Sequence, residues 1–142
     1  MENKKLIQEW YQQVWNNKNE SAIDTYLAKN CIAHGLADEN NQEIVGTEKF
    51  KLLYRKFIAA FPDIQFNVLQ TVNEGNTIAA LVEASFSHSG GTFQAYPGKD
   101  IAPSGRPVKI SGITITVIEN GQIQEAWNSF DFLTMYTTLG VF

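Results

Sequence analysis

Three side chains in this sequence are of the types that move protons near neutral pH and stand at the ends of strand-like runs: Asp131, His88 and His34. Asp131 is the sole charged residue between Glu125 and the C-terminus, set in Trp127-Asn128-Ser129-Phe130-Asp131-Phe132-Leu133. A carboxylate flanked by two phenylalanines, with no basic residue near it in sequence, is either held by distant partners or has its pKa raised by desolvation, which makes it a base. Asp is also a common helix N-cap, and a helix over Phe132 to Thr138 would give it that role. His88 closes the row Ile78, Ala80, Val82, Ala84, Phe86 at the end of a strand, where it is either a hydrogen-bonded strand-end side chain or a proton donor. His34 lies in Cys31-Ile32-Ala33-His34-Gly35, and parity puts it on the same side as Ile32, so it either lines a pocket or faces away from one.

The elements that must position these groups begin with helices. Leu6, Ile7, Trp10, Val14 and Trp15 recur at helical spacing and predict an amphipathic helix over residues 3 to 17 whose apolar stripe covers a sheet. Asn19 suits the cap of a short second helix carrying Ala22, Ile23, Tyr26 and Leu27 and ending near Asn30, followed by a brief extended piece over residues 31 to 35. Thr47 suits the cap of a third helix with Phe50, Leu53, Tyr54, Phe57 and Ile58 on one face, stopped by Pro62.

From Ile64 the period falls to two. Residues 64 to 73 and 77 to 88 predict strands joined at Asn73-Glu74-Gly75-Asn76, and 107 to 119 and 122 to 131 predict a hairpin turning at Asn120-Gly121. The Gly- and Pro-rich stretch from Gly90 to Pro107 reads as a hairpin excursion over the sheet. Helices first and a meander afterwards predict an α+β fold, a single domain over residues 1–142: a curved antiparallel sheet wrapped as a cone, with the N-terminal helices on its concave face enclosing a pocket. In the last strand Ile123, Glu125, Trp127, Ser129 and Asp131 share one parity, Gln122, Gln124, Ala126, Asn128 and Phe130 the other, and neither face is cleanly apolar.

Several pieces together carry a family resemblance. The run from Glu119 through Asn120-Gly121 to Trp127-Asn128-Ser129-Phe130-Asp131, ending in Leu139-Gly140, resembles the SnoaL-like polyketide cyclase signature, within the ketosteroid-isomerase-like or nuclear-transport-factor-like superfold. Val14-Trp15-Asn16, His34-Gly35, Gly46-Thr47-Glu48, Phe61-Pro62-Asp63 and Pro103-Ser104-Gly105-Arg106-Pro107-Val108 agree in order. The resemblance implies a cofactor-free reaction without metal. In it the aspartate at the position of Asp131 takes a proton from an activated carbon, an oxygen donor such as His34 or His88 holds the enolate, and the apolar pocket keeps water out. The aromatic candidates for the substrate-binding wall are Trp15, Tyr54, Phe57, Phe86 and Trp127, with plain core packing the alternative for the two tryptophans. The sequence departs from the cyclases at Ile115 and Val117, where they place polar side chains to assist the aspartate. The stretch Phe93 to Pro103 is also longer than their usual connection.

Composition excludes other classes. A net charge of −4 with scattered lysines and arginines argues against a nucleic-acid partner. The one cysteine, Cys31, lies in an apolar stretch and reads as a buried structural thiol. The two histidines lie far apart with no Cys or carboxylate at metal-ligand spacing, so no metal site is expected. No nucleophile elbow, phosphate-cradling glycine loop, leader or membrane-spanning run is present, which leaves a cytoplasmic protein without a membrane partner as the expectation. Two functions follow: a cofactor-independent cyclase, isomerase or dehydratase acting on a small hydrophobic carbonyl compound with Asp131 as proton acceptor, or a non-catalytic module that holds a hydrophobic ligand in the same pocket. In either case the uncovered sheet face predicts a homodimer.

Overall fold

The apolar stripe of the N-terminus becomes a helix that is wholly buried on one side. In the computed structural model, which describes residues 2–142, α1 (Asn3–Glu9) runs directly into wider π-type turns over Trp10–Asn16. Leu6, Ile7, Trp10, Tyr11, Val14 and Trp15 are all buried. At its end the Asn16 side chain donates to Phe66 O (2.9 Å) and accepts from Phe66 N (2.7 Å), which ties the helix to the edge of the sheet.

Helix α2 (Ala22–Tyr26) is shorter than its sequence suggests, because the chain turns extended at Leu27 and is paired from there. The expected brief extended piece is in fact the long strand β1 (Leu27–Ala37). It pairs antiparallel to β2 (Glu43–Val45) on one side and parallel to β8 (Gln122–Phe130) on the other. Local propensity could not reveal this, since the stabilising ladder comes from the far end of the chain. Helix α3 (Thr47–Ala60) takes Gly46 in its N-cap position with φ 88°, and Thr47 is the buried first helical residue, so the expected Thr47 cap is not made.

The remaining strands are β3 (Gln65–Glu74), β4 (Thr77–Ser87), β5 (Phe93–Tyr96), β6 (Lys99–Ile101) and β7 (Pro107–Glu119), and α4 (Phe132–Leu139) closes the chain. The main sheet has the order β2-β1-β8-β7-β4-β3, and β5-β6 form a separate hairpin between β4 and β7. Asn120 and Gly121 both have positive φ (54° and 72°), the geometry a two-residue β7–β8 turn requires. The β4 row Ile78, Ala80, Val82, Ala84 and Phe86 is buried against the helices, as its apolar run predicts.

Two irregularities set the shape of the interior. The β7–β8 register passes from Val117 opposite Glu125 to Ile118 opposite Ile123, so Gln124 is an extra residue on β8. The bulge switches parity, and Ile123 joins Ala126, Asn128 and Phe130 inside, while Trp127 and Ser129 face out. That is why strict alternation leaves neither face of this strand clean. At the β1–β8 crossing Gly35 has φ 81°, and a Cβ there would lie 1.8 Å from Asn128 O, so only glycine lets the strands approach this closely.

Candidate functional site

Between the helices and the concave face of the sheet lies a cavity of about 90 Å³. The π-type turns contribute Trp10, Tyr11 and Trp15, α3 contributes Phe50, Leu53 and Phe57, and the sheet contributes Ala33, Ala84, Phe86, Ala126 and Phe130. Trp15 sits at the centre of the aromatic wall, with ring centroids 5.0 Å from Tyr54 and 5.2 Å from Phe66. Trp15, Phe57 and Phe86 therefore line the interior where the sequence suggested. Tyr54 does not: it is buried behind Trp15, and its hydroxyl donates to Val14 O at 2.9 Å.

The polar groups of the cavity are few. The Tyr11 hydroxyl lies close to the Thr114 side chain, and burial drives the phenol well above its ordinary pKa, so it stays protonated. Thr114 and Thr116 are buried on β7, and Thr116 Oγ1 contacts Ile78 O at 3.4 Å. Asn128 donates one amide N–H to His34 O at 2.9 Å. Cys31 also reaches the cavity, and burial pushes its thiol up, so it is neutral. Among the described residues lining the cavity none is a carboxylate or a histidine.

Asp131 is not in the cavity. Its carboxylate accepts from Thr134 N at 3.0 Å and from Thr134 Oγ1 at 2.6 Å, which makes it the exposed N-cap of α4. Those two donors hold its pKa below the ordinary carboxylate value, the reverse of what a base raised by apolar surroundings requires. Its flanking phenylalanines do line the cavity, but the chain turns between them so that Asp131 faces water. In this structure the carboxylate expected to act as proton acceptor stands as the cap of α4, outside the cavity lining.

The two histidines are likewise elsewhere. His34 lies on the outer face of the sheet, its ring stacked on Trp127 (5.2 Å between centroids, 19° between planes). Its Nδ1 is 2.6 Å from Glu43 Oε1 and its Nε2 2.6 Å from Glu125 Oε2, and these carboxylates, Glu43 first, raise its pKa. Trp127, 43% exposed, is therefore an outer-face residue and no wall of the pocket. His88 is completely buried beside Phe61, and its Nε2 hydrogen-bonds Gly91 O at 2.8 Å, fixing the turn after β4 against the end of α3. It does not reach the cavity. Neither histidine stands by a common ligand atom with Asp131.

Ile115 and Val117, the two departures from the family resemblance, also point away: they stand on the outward row of β7, and Ile115 is 41% exposed. The inward row of β7 is Val108, Ile110, Gly112, Thr114, Thr116 and Ile118. Tyr11, Thr114 and Thr116 were missed because the two rows of β7 are both largely apolar, so parity alone does not say which faces in. Their signal was present in two hydroxyls spaced two apart on one strand. The Tyr11 signal was its place on the buried stripe, one residue from Trp10.

The family model for the SnoaL-like polyketide cyclases matches residues 5–139. The chain belongs to that family. Among solved structures, the provisionally assigned SnoaL-like polyketide cyclase from Jannaschia sp. CCS1 superposes with a TM-score of 0.80 at 17% identity, covering 96% of this chain and 90% of that one. IdmH, a provisionally assigned polyketide cyclase from Streptomyces antibioticus, gives 0.79 at 22% identity over 99% of each chain. AclR, a provisionally assigned hydroxylase from Streptomyces galilaeus, gives 0.80 at 20% identity over 98% of this chain and 96% of that one. These likenesses establish the α+β cone. No curated protein matches the chain. No helix among the described residues is long and apolar enough to cross a membrane.

Proposed function

We propose that this SnoaL-like protein holds a small hydrophobic carbonyl compound in the inner cavity, with the Tyr11 hydroxyl as the donor to the carbonyl oxygen. The observation that carries the reading is a neutral, buried phenol beside Thr114 in an otherwise aromatic and aliphatic chamber. A donor in so dry a site polarises a carbonyl more than it would in water, because the low local dielectric strengthens the bond. Donation is one half of enolisation chemistry. The other half needs a base, and no described lining residue is a carboxylate or a histidine, which favours the binding module over the Asp131 enzyme.

Size supports a small ligand. An apolar cavity that holds benzene measures roughly 150 Å³, and this one measures about 90 Å³, so one six-membered ring is the upper limit and enters by displacing lining side chains. The probes are cyclohexanone and methylenecyclohexane, which share a shape and differ at the acceptor oxygen. Calorimetric titration should find cyclohexanone tighter by roughly threefold to tenfold, the worth of one hydrogen bond, and Tyr11→Phe should erase the difference. Equal binding of the two probes, or a ketone preference that survives Tyr11→Phe, refutes the assignment.

The outer face belongs to the same proposal. Ile113, Ile115, Val72 and Trp127 are each at least 41% exposed there, and Ile115 pairs directly with Trp127 across the β7–β8 ladder. A contiguous apolar patch of this kind marks an interaction surface, and a second copy of the chain is the partner we assign to it.

A further inference from the structure

A second chamber of about 220 Å³ opens beyond the inner cavity, and the two share Leu36, Leu53, Phe57 and Phe132 as a common wall. Its outer side is the β5–β6 hairpin, held down by Tyr136 Oη, which donates to Ala95 O at 3.3 Å, and by Phe93 packed on Phe57 and Phe61. A ligand longer than the inner cavity reaches this vestibule only by passing between these four side chains. The vestibule differs from the cavity in one respect that selects ligands: it contains a cation.

That cation is Lys56. Lys49, Lys51 and Arg55 of the same helix each have a carboxylate within 2.9 Å: Asp38 at 2.9 Å, Asp24 at 2.8 Å and Glu20 at 2.7 Å. Lys56 makes no ion pair among the described residues, and its ammonium instead lies 4.9 Å from the centre of the Phe93 ring. Asp38, also on the vestibule, is already committed to Lys49 and to the backbone N–H groups of Asn40 and Gln42. Glu39 is exposed and acts on Lys56 only at a distance. Burial lowers the Lys56 pKa despite Glu39, which means that its charge is under-compensated where it stands. A half-buried ammonium facing a cavity is stabilised by an arriving anion, and the charge-assisted bond formed is stronger than a neutral one.

We propose that the ligand is an amphiphilic keto acid, whose apolar, ketone-bearing body enters the inner cavity and whose carboxylate pairs with Lys56 in the vestibule. The assignment rests on the inner cavity being the binding site, and it adds the chemical class of the polar end. Only the vestibule can take that charge, since no cationic side chain lines the inner cavity. The test compares 4-phenylbutanoic acid with its methyl ester on wild type, Lys56→Met and Lys56→Arg, with cyclohexanone titrated on each as a control for the inner cavity. Met keeps the length of the lysine stem, so its packing over Phe93 is preserved, and Lys56→Gln serves as a second neutral variant if Lys56→Met melts early.

The expected result is an acid that binds wild type about tenfold or more tightly than the ester, as a charged hydrogen bond gives. That preference should vanish in Lys56→Met and Lys56→Gln, persist in Lys56→Arg, and shrink as salt is raised, while cyclohexanone binds all four alike. An acid that binds no better than the ester, or a preference that survives both neutral variants, overturns the inference and leaves the inner cavity untouched if cyclohexanone still binds. Failure of cyclohexanone on wild type removes the cavity reading and this one with it.

Discussion

Filling the inner cavity should stabilise the protein and abolish ligand binding together, and Ala84→Val is the substitution that does it most economically. Ala84 lies mid-strand on β4, opposite Phe66 on one side and Ile110 on the other, 2% exposed, with its methyl on the cavity. A cavity of about 90 Å³, at roughly 24 cal/mol per Å³, costs about 2 kcal/mol in lost contacts. Valine adds two carbons worth about 0.8 kcal/mol each when buried, and a β-branched side chain suits a strand. Some of that gain is lost in fitting the branched side chain, so the expected increase is about 1 kcal/mol, or roughly 3 °C in Tm for a domain of this size. The assay is urea denaturation followed by tryptophan fluorescence, with Trp10 and Trp15 as core reporters, alongside cyclohexanone titration of the same variant. A variant less stable by 1 kcal/mol or more would show that the space is not open in solution, and one that binds cyclohexanone as wild type does would show that the ligand sits elsewhere.

Four further outcomes test other parts of the account. Asp131→Ala should lower the melting temperature, Asp131→Asn, which keeps a capping acceptor without the charge, should lower it less, and neither should change binding in the cavity. Because the folded-state pKa of Asp131 is lowered, its contribution is fully present above the ordinary carboxylate pKa and fades as pH falls through the folded value; the Asp131→Ala deficit should therefore shrink in acid. His34, whose folded pKa is raised by Glu43 and Glu125, contributes below its unfolded pKa and stops contributing as pH rises through the folded one, so Glu43→Gln with Glu125→Gln should move the NMR titration of the ring toward its ordinary value. Ile115→Lys should convert a dimer to a monomer by sedimentation at micromolar concentration, and a wild-type monomer there would remove the outer-face assignment.

The fold was largely legible in the sequence because its strands and helices carry clean periods: the α1 stripe, the β4 row and the Asn120-Gly121 turn each specify their element locally. What was not legible came from long-range geometry. The length of β1 depends on a parallel ladder to β8, nearly a whole chain away. The orientation of β8 depends on a single bulge at Gln124, which no local propensity marks. The site suffered most from this, because placing Trp127, His34 and Asp131 required knowing which face each strand turns inward. Asp131 attracted attention as an isolated carboxylate among phenylalanines, yet Thr134, three residues on, was the local signal that it caps a helix. The cavity's polar groups, Tyr11 and Thr114, come from the first helix and the seventh strand, and only the packed fold brings them together.

The proposed ligand meets Tyr11 and Thr114 in the interior and does not approach Asp131. Amide chemical shifts followed during a cyclohexanone titration test it most directly. The account predicts saturable shifts at Tyr11, Thr114, Ala126 and Asn128, with Thr134 at the Asp131 cap and Ser129 on the outer strand face unmoved. Shifts centred on Asp131 and Thr134, with Tyr11 and Thr114 unchanged, would contradict it.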